Sequence, residues 1–235
     1  MKKMIFTFLI MVSVASAQKV YATFDVVALK SANLAFTASG RVEQINVDIG
    51  SIVKKNQILA ILDNNDTKAM LSKTKIALKF AKRELQRQQK IQKLIDASKY
   101  DRVLSNYENA KASVAYQEAL YAKTILKAPF DGIIYEKKVE VGDAVSGMML
   151  KTAFKIQSLH QRKLILMFDQ KYHHKVKVGD IFEYRVDGDN KTYKGVISKV
   201  YPYANFHNRK IKAEVKAKDF MVGLFGDGYI LVDEK

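Results

Sequence analysis

Few side chains in this sequence combine the chemistry and the spacing needed for catalysis or metal binding. His173 and His174 are adjacent, but no further ligand follows them at helical spacing, and the other two histidines stand alone. The chain has no cysteine, so it offers no thiol nucleophile and no disulfide. Met148 and Met149 could bind a soft metal ion, although methionine far more often packs against apolar neighbours. The sequence therefore predicts a protein that is not an enzyme and holds no cofactor or metal, with a soft-metal site at the two methionines as the alternative.

The first residues have the organisation of an export signal. Lys2 and Lys3 precede an apolar stretch over residues 4–14, and small residues follow at 15–17. This stretch is too short to span a membrane, so we expect residues 1–17 to be a cleaved signal peptide. Without a cysteine at the cleavage site, we expect that the exported chain is not a lipoprotein. The formal net charge of +16 would favour nucleic acid as a partner, but export argues against it, and an acidic membrane surface or protein is expected instead.

The sequence contains a repeat at an offset of 92 residues. The aligned positions are Gly40 with Gly132, Gly50 with Gly142, and residues 47–53 with residues 139–145. In each half, an alternating apolar pattern begins at the first glycine, and a small or acidic residue follows the second. The two halves, residues 37–63 and 124–147, predict one small β domain with turns at these four glycines.

The segment between the two halves, residues 64–123, contains neither proline nor glycine and is rich in helix formers. Two series recur in it with a seven-residue period, namely Leu71, Leu78 and Leu85, and then Tyr100, Tyr107, Val114 and Tyr121. The positions offset from the first series are Ala81, Gln88 and Ile95. Such periods are typical of coiled coils, and the break near Asp96 predicts an antiparallel helical hairpin with the aromatic residues in its seam. Pro129 is expected to end the second helix, because proline has no amide hydrogen to donate.

The sequence after the second half predicts β structure to the end. Phe182, Tyr184 and Val186 alternate with charged residues, and turn-forming residues follow them. Short strands at this spacing suggest a small antiparallel barrel over residues 148–235, joined by a strand within residues 18–36. The predicted fold is mixed α and β and elongated: a β-sandwich split by an antiparallel α-helical coiled-coil hairpin and followed by a small antiparallel β-barrel.

This layout resembles that of the membrane fusion proteins, also called periplasmic adaptors, over nearly all of the mature chain. Four segments carry the resemblance: residues 40–59, 128–143, 193–197 and 222–226. The resemblance implies that the split domain is lipoyl-like and that the protein lies in the periplasm, associated with the inner membrane through a transporter. It also implies an adaptor that links an inner-membrane transporter to an outer-membrane channel and assembles into a ring, expected to be a hexamer. The likeness is closest to adaptors of resistance-nodulation-division efflux pumps, with ATP-driven ABC or type I secretion systems as the alternative.

The hairpin tip carries the most specific part of the resemblance. Family members that dock on TolC-type channels have an arginine, a leucine four residues later and a serine seven residues after that. Here Arg87, Ile91 and Ser98 occupy the same spacing. The resemblance implies that these residues contact a TolC-type outer-membrane channel. Two structural alternatives stay open, since Ser98 could be a helix N-cap and Ile91 could pack in the seam.

Several features depart from the family pattern, among them Ile91 in place of leucine and Val222 where a proline is common. Asn56 stands where a glycine is usual, and few residues are left over for the membrane-proximal β domain of many pump adaptors, which we expect to be absent or reduced to a strand or two. Lipoyl and biotinyl group carriers are a further alternative, because they share the split β domain. Such carriers need a lysine at an exposed turn between the halves, and here the long hairpin replaces that turn.

Overall fold

A computed structural model describes residues 18–91 and 96–232. The elements, in chain order, are β1 (Gln18–Ala28), β2 (Ser31–Leu34), β3 (Gly40–Ile45), β4 (Ile52–Val53), β5 (Ile58–Leu62), α1 (Asn65–Lys90), α2 (Ala97–Lys123), β6 (Ile125–Lys127), β7 (Gly132–Lys137), β8 (Ala144–Val145), β9 (Phe154–Gln157), β10 (Gln161–Asp169), a 3₁₀ turn (Gln170–Tyr172), β11 (Ile181–Val186), β12 (Tyr193–Ala204), β13 (Lys210–Lys218) and β14 (Phe225–Val232). They form two compact units, one of residues 30–159 and one of residues 18–29 and 160–232. The predicted signal peptide, residues 1–17, lies outside the described residues.

The unit of residues 30–159 contains a sandwich of two four-stranded sheets, with the strand orders β2-β9-β7-β4 and β6-β5-β3-β8. Its strands confirm the repeat, because β7 begins 92 residues after β3 and β8 begins 92 residues after β4. The pairing is crossed: β3 pairs with β8, and β4 pairs with β7. The Val42 N–H donates to the Asp143 carbonyl at 2.8 Å, and the equivalent Ile134 N–H donates to the Ser51 carbonyl at 3.0 Å. The two halves therefore form one domain with local two-fold symmetry.

The four glycines of the repeat fall into two kinds. Gly50 and Gly142 occupy turns with φ angles of 87° and 97°, which a side chain would strain. Gly40 and Gly132 instead begin strands β3 and β7, so the prediction that these two form turns is wrong. Space explains the glycine at 132, since an added Cβ would lie 2.3 Å from the backbone oxygen of Gln157 on β9. The close approach of β7 and β9 leaves no room for a side chain there.

The structure shifts two of the predicted domain boundaries. Within the predicted barrel strand of residues 18–36, only β1 lies in the barrel, because β2 pairs with β9 in the sandwich. β9 itself lies within the predicted barrel segment of residues 148–235, yet it pairs with β7 of the sandwich. Phe154 and Ile156 of β9 are fully buried in the sandwich core, and this burial explains why the strand belongs there.

The two helices pack along the predicted seam. Leu71 and Leu85 of α1 and Val114 of α2 are buried, and the other predicted seam residues that the structure describes are partly buried. Ile95 lies outside the described residues. Side chains seven residues apart share one helix face, so the period correctly predicted which faces meet. Over the described part of the chain, neither helix is long and apolar enough to cross a membrane.

The second helix ends at Lys123, well before Pro129, so the prediction that Pro129 terminates it is wrong. The residues between them include Ile125–Lys127, which form β6 and pair with β5. The C-cap of this helix is Thr124, whose hydroxyl donates to the Tyr121 carbonyl at 2.7 Å. Pairing of β6 with β5 commits the following backbone to a strand, and this pairing sets the helix end.

The second unit is a closed six-stranded barrel with the strand order β1-β10-β13-β12-β11-β14. Alternate residues face inward, as in β1, where Val20, Ala22, Phe24 and Val26 are buried. Phe24 packs edge-on against Phe182, with ring centroids 5.8 Å apart. The predicted small antiparallel barrel is confirmed, and its closure leaves no sheet edge unpaired.

A partly buried ion pair joins two barrel strands. Lys163 Nζ on β10 lies 2.9 Å from Glu214 Oε1 on β13, and the Tyr201 hydroxyl donates to the same oxygen at 2.6 Å. Burial alone would raise the pKa of Glu214, but hydrogen bonds from Lys163 and then Tyr201 outweigh it and hold that pKa below its usual value. Glu214 therefore stabilises the barrel in its ionised form.

Candidate docking site at the hairpin tip

A cluster at the base of the hairpin ties both helices to the sandwich. α1 follows β5 and α2 leads directly into β6, which pairs with β5. Asn64 Nδ2, before α1, donates to Thr124 Oγ1, after α2, at 3.3 Å. The Leu62 N–H of β5 donates to the Thr124 carbonyl at 2.9 Å. Thr124 is buried, and sequence analysis missed it, because one threonine after a helix makes no distinctive pattern.

The three predicted docking residues lie at the other end of the hairpin from this cluster. Arg87 lies in the last turn of α1, Ile91 is the C-cap of that helix, and Ser98 is the second residue of α2. Four residues separate Arg87 from Ile91, which places both on one side of α1. Residues 92–95, which connect the two helices in the sequence, lie outside the described residues. The candidate site thus combines the end of one helix with the start of the next.

Arg87 is held by neighbours on its own helix while it stays open to solvent. Its Nε donates to Glu84 Oε2 at 3.1 Å, and its Nη2 contacts the same oxygen. Gln88 Nε2 donates to the other carboxylate oxygen at 2.8 Å. Hydrogen bonds from Gln88 and then Arg87 hold the pKa of Glu84 below its usual value, so the carboxylate is ionised at neutral pH. The Arg87 side chain remains 72% exposed, which leaves it both oriented and accessible.

Sequence analysis missed the role of Glu84, although a signal was present. Glu84 precedes Arg87 by three residues and Gln88 by four. Residues at these two spacings are neighbours on a helix surface, and a glutamate placed before its donors is the favourable orientation. The spacing alone therefore predicts that Glu84 orients the arginine.

Ile91 and Ser98 are both exposed at the tip. Ile91 is 42% exposed, so it is not buried in the seam. The N-cap of α2 is Asp96, whose carboxylate accepts a hydrogen bond from the Ser98 N–H at 2.7 Å, so the interpretation of Ser98 as the N-cap is wrong. Hydrogen bonding by Ser98, first through its side chain and then through its backbone, holds the pKa of Asp96 below its usual value. The cap therefore fixes the position of Ser98 at the start of α2.

Comparison with known proteins decides the family. The family model described as CzcB-like, barrel-sandwich hybrid domain matches residues 30–156, which include the hairpin and all of the sandwich strands except the last residue of β9. This chain belongs to that family of membrane fusion proteins. The resemblance predicted from the sequence is thereby confirmed.

Three similar proteins show how far the likeness extends. The cobalt-zinc-cadmium resistance protein CzcB of Cupriavidus metallidurans is 27% identical over 134 residues, which cover 50% of this chain and 26% of CzcB. The crystal structure of a MacA-MexA chimeric protein, containing the Pseudomonas aeruginosa MexA α-hairpin domain, matches with a TM-score of 0.85 at 19% identity, over 93% of this chain and 83% of that chain. MacA from Actinobacillus actinomycetemcomitans matches with a TM-score of 0.77 at 20% identity, over 92% of this chain and 79% of that chain. The fold is therefore shared over nearly the whole chain, whereas the sequence match spans about a quarter of CzcB.

The first helix of this CzcB-like hairpin is strongly basic. Its cations are Lys68, Lys73, Lys75, Lys79, Lys82, Arg83, Arg87 and Lys90, and its acidic residues are Asp66 and Glu84. Lys75 Nζ lies 2.9 Å from Glu118 Oε1 of α2, so one ion pair joins the two helices. Most of the remaining positive charge is exposed, and its attraction for an acidic partner weakens with added salt.

The other candidate groups of this membrane fusion protein belong to segments outside the hairpin helices. The rings of His173 and His174 have centroids 3.7 Å apart, and His173 Nδ1 lies 3.1 Å from the Gln170 carbonyl oxygen. Met148 and Met149 are exposed. Within residues 18–91 and 96–232, no three His, Cys, Asp or Glu side chains are placed to hold a metal ion. Lipoyl and biotinyl carriers need a lysine at an exposed turn between the two halves of the domain. In this chain, α1 and α2 take the place of that turn and connect β5 to β6.

Proposed function

We propose that this chain is the periplasmic adaptor subunit of a tripartite efflux pump, which links an inner-membrane resistance-nodulation-division transporter to a TolC-type outer-membrane channel. The observation that carries the proposal is the hairpin. A CzcB-like sandwich bears two long helices whose far end exposes Arg87, Ile91 and Ser98. The chain would be exported by residues 1–17 and associate with the inner membrane through its transporter.

The chemistry of the tip suits a protein surface with carboxylate or carbonyl oxygens. Arg87 presents a planar set of N–H donors that can bind such groups at two points, which a lysine cannot reproduce. Ile91 adds an apolar contact one turn further along the helix, and Ser98 adds a hydroxyl. The contact with Glu84 limits the number of orientations that Arg87 must lose on binding, which favours association.

In this proposal, six copies of the chain form a ring. An adaptor must seal a conduit between the transporter and the channel, and head-to-tail contacts that close by rotation generate rings. The hairpins of neighbouring copies would then lie side by side around the conduit.

Gene deletion tests the adaptor function. Deleting this gene should raise sensitivity to the pump's cargo as much as deleting the transporter gene, and the double deletion should be no more sensitive than either single one. Because CzcB is named for cobalt, zinc and cadmium resistance, the panel should include salts of these metals beside organic toxic compounds. Additive effects of the two deletions would contradict the proposal.

The class of transporter requires a separate measurement. Mass spectrometry of the transporter that co-purifies with the chain identifies it, and collapsing the proton gradient while ATP is maintained should stop export. Export that continues under these conditions and stops on ATP depletion would assign the adaptor to an ATP-driven ABC or type I system instead.

A further inference from the structure

The loop between β12 and β13 holds a phenylalanine in solvent. Phe206 is 97% exposed. The loop closes through polar contacts of its other residues: the Asn205 N–H donates to the Lys210 carbonyl at 2.9 Å, and the Arg209 N–H donates to the Asn205 carbonyl at 2.8 Å. Asn205 Oδ1 also accepts a hydrogen bond from the His207 N–H at 2.8 Å. The Phe206 ring therefore contributes little to the fold, and its apolar area becomes useful only when a partner covers it.

Two other segments reach the same end of the barrel as this loop. Asp169, the last residue of β10, pairs with Lys210, the first residue of β13, so residues 170–178 leave β10 beside the loop. β1 is antiparallel to β10, and its first residue, Gln18, lies where β10 finishes. Lys175 Nζ donates to Gln18 Oε1 at 2.6 Å, which ties the two segments together.

This end of the barrel is positively charged. We call residues 169–180 and 205–210 the basic end. Its cations, all exposed or partly exposed, are Lys171, Lys175, Lys177, Arg209 and Lys210. Its acidic residues, Asp169 and Asp180, accept hydrogen bonds from the backbone N–H groups of Lys171 and Lys177, at 2.9 and 2.8 Å. The basic end thus combines an exposed aromatic ring with an excess of positive charge.

A bulge in β12 adds a second aromatic side chain to the basic end. The pairing of β12 with β13 shifts between Val200 and Ala204, so residues 201–203 bulge out of the sheet. Tyr203 in this bulge is 56% exposed. Apolar residues of the bulge and Lys171 of the 3₁₀ turn line a groove of about 670 Å³. Apolar surface beside a cation matches the two chemistries of a phospholipid.

The predicted signal peptide leads directly into the basic end. Its last residue, 17, precedes Gln18, with which β1 begins. An export signal occupies the inner membrane while the chain crosses it, so the basic end emerges beside that membrane. Export thus brings the cations and the Phe206 ring close to anionic phospholipids.

We propose that the basic end of the barrel binds an anionic phospholipid surface, that of the inner membrane, with the Phe206 ring inserted among the headgroups. The cations meet the lipid phosphates, and the aromatic ring enters the apolar boundary beneath them. A convex tip with one exposed ring suits lipid, which adapts its shape, better than a protein pocket, which would have to match it. The proposal rests on the export that the adaptor function requires, and it adds a membrane contact that does not depend on the transporter.

Vesicle co-sedimentation of the full exported chain tests this contact. The wild type should bind vesicles of phosphatidylglycerol and phosphatidylcholine in equal parts, and bind vesicles of phosphatidylcholine alone far more weakly. Phe206→Ala should weaken binding to the anionic vesicles about tenfold, because it removes the apolar area that enters the membrane. Arg209→Glu should also weaken it about tenfold, because it replaces an attraction with a repulsion.

The matched controls carry the same changes at the opposite end of the barrel. Phe225, 59% exposed, begins β14, whose other end pairs with Gln18 at the basic end. Lys191 is exposed and precedes β12, which runs from there towards the basic end. Phe225→Ala and Lys191→Glu should bind nearly as well as the wild type. A wild type that binds neither kind of vesicle, or controls that lose as much as the test variants, would overturn the proposal.

Insertion of the ring has its own measurement, because the chain contains no tryptophan. The fluorescence of Phe206→Trp should shift to shorter wavelengths when anionic vesicles are added, and brominated lipid chains should quench it. Phe225→Trp should show neither change. Emission from Phe206→Trp that stays the same while the protein binds the vesicles would show that the ring does not enter the membrane.

Further outcomes separate the lipid contact from the adaptor function and from a protein partner. Vesicle binding by a chain whose gene deletion changes no resistance would keep the lipid contact and remove the adaptor function. A deletion phenotype without vesicle binding would do the reverse. If the wild type ignores vesicles while Phe206→Ala loses co-purification with the transporter, the basic end binds an acidic protein surface, and the lipid contact is wrong.

Discussion

Gly132→Ala should destabilise the sandwich, whereas the same change at the symmetry-related Gly40 should not. At Gly132 the added Cβ would lie 2.3 Å from the Gln157 backbone oxygen and 3.0 Å from Ile156 Cγ1. Since ordinary van der Waals contact begins near 3.4 Å, β7 and β9 would have to separate by about 1 Å. At Gly40 the nearest atoms, on the Leu62 side chain, are 3.5 Å away, which is an ordinary contact.

The difference in the free energy of unfolding between Gly132→Ala and Gly40→Ala should therefore measure this one clash. Alanine gains about 0.4–1 kcal/mol at either position by reducing the entropy of the unfolded chain. Overpacking a core costs about 1–3 kcal/mol, and the upper end applies at Gly132 because backbone atoms cannot rotate away. The net loss at Gly132 is then about 2 kcal/mol, which lowers the melting temperature of a chain of this size by about 4–8 °C.

Thermal unfolding of the purified variants, followed by circular dichroism, measures the shift, and urea unfolding gives the free energy. Gly40→Ala should melt at the wild-type temperature or slightly above it. If Gly132→Ala were as stable as wild type, or if Gly40→Ala lost as much, the close approach of β7 and β9 would not be the reason for glycine at position 132.

Three further predictions concern the tip, one turn and the barrel. Arg87→Lys should lower resistance without changing the melting temperature, because lysine cannot make the two-point contact, whereas Lys82→Ala should have little effect in the same assay. Asn56 has a φ angle of 67°, so Asn56→Gly should raise the free energy of unfolding by about 0.5 kcal/mol in urea titrations; a loss would show that the Asn56 side chain matters more than its backbone. The folded-state pKa of Glu214 lies below its ordinary value of 4.5, so the wild type loses this stabilisation as the pH falls below that value. Melting temperatures of Glu214→Gln should therefore depend less on pH in the acidic range, and parallel curves for variant and wild type would contradict this.

The local patterns in the sequence predicted the elements that depend on nearby residues. The seven-residue period of Leu71, Leu78 and Leu85 reports which face of α1 is covered, because helix geometry fixes that face without knowledge of the rest of the fold. The repeat also predicted the turns at Gly50 and Gly142, since both need a backbone conformation that glycine adopts freely.

Features that depend on distant partners were harder to predict. β9 has only four residues, and its alternation of Phe154 and Ile156 with polar residues does not show which sheet it joins; that is set by its pairing with β7 and the burial of Phe154. The end of α2 is set at Thr124 by the pairing of β6 with β5, which no local signal shows, while the conspicuous Pro129 lies beyond it. At the tip, the family resemblance pointed to Arg87, Ile91 and Ser98, and the spacing of Glu84 from Arg87 carried a signal that sequence analysis missed. The cap at Asp96 became visible only in the structure.

Site-specific cross-linking at Ile91 tests docking at the hairpin tip most directly. A photo-reactive amino acid in place of Ile91, in cells that express the whole pump, should link the chain to the outer-membrane channel, identified by mass spectrometry. The same group in place of Ile76, which is 53% exposed midway along α1, is the matched control and should not link the chain to the channel. If a folded and expressed chain with the group at position 91 captures no outer-membrane channel, or if both positions capture the channel equally, the hairpin tip is not the docking site.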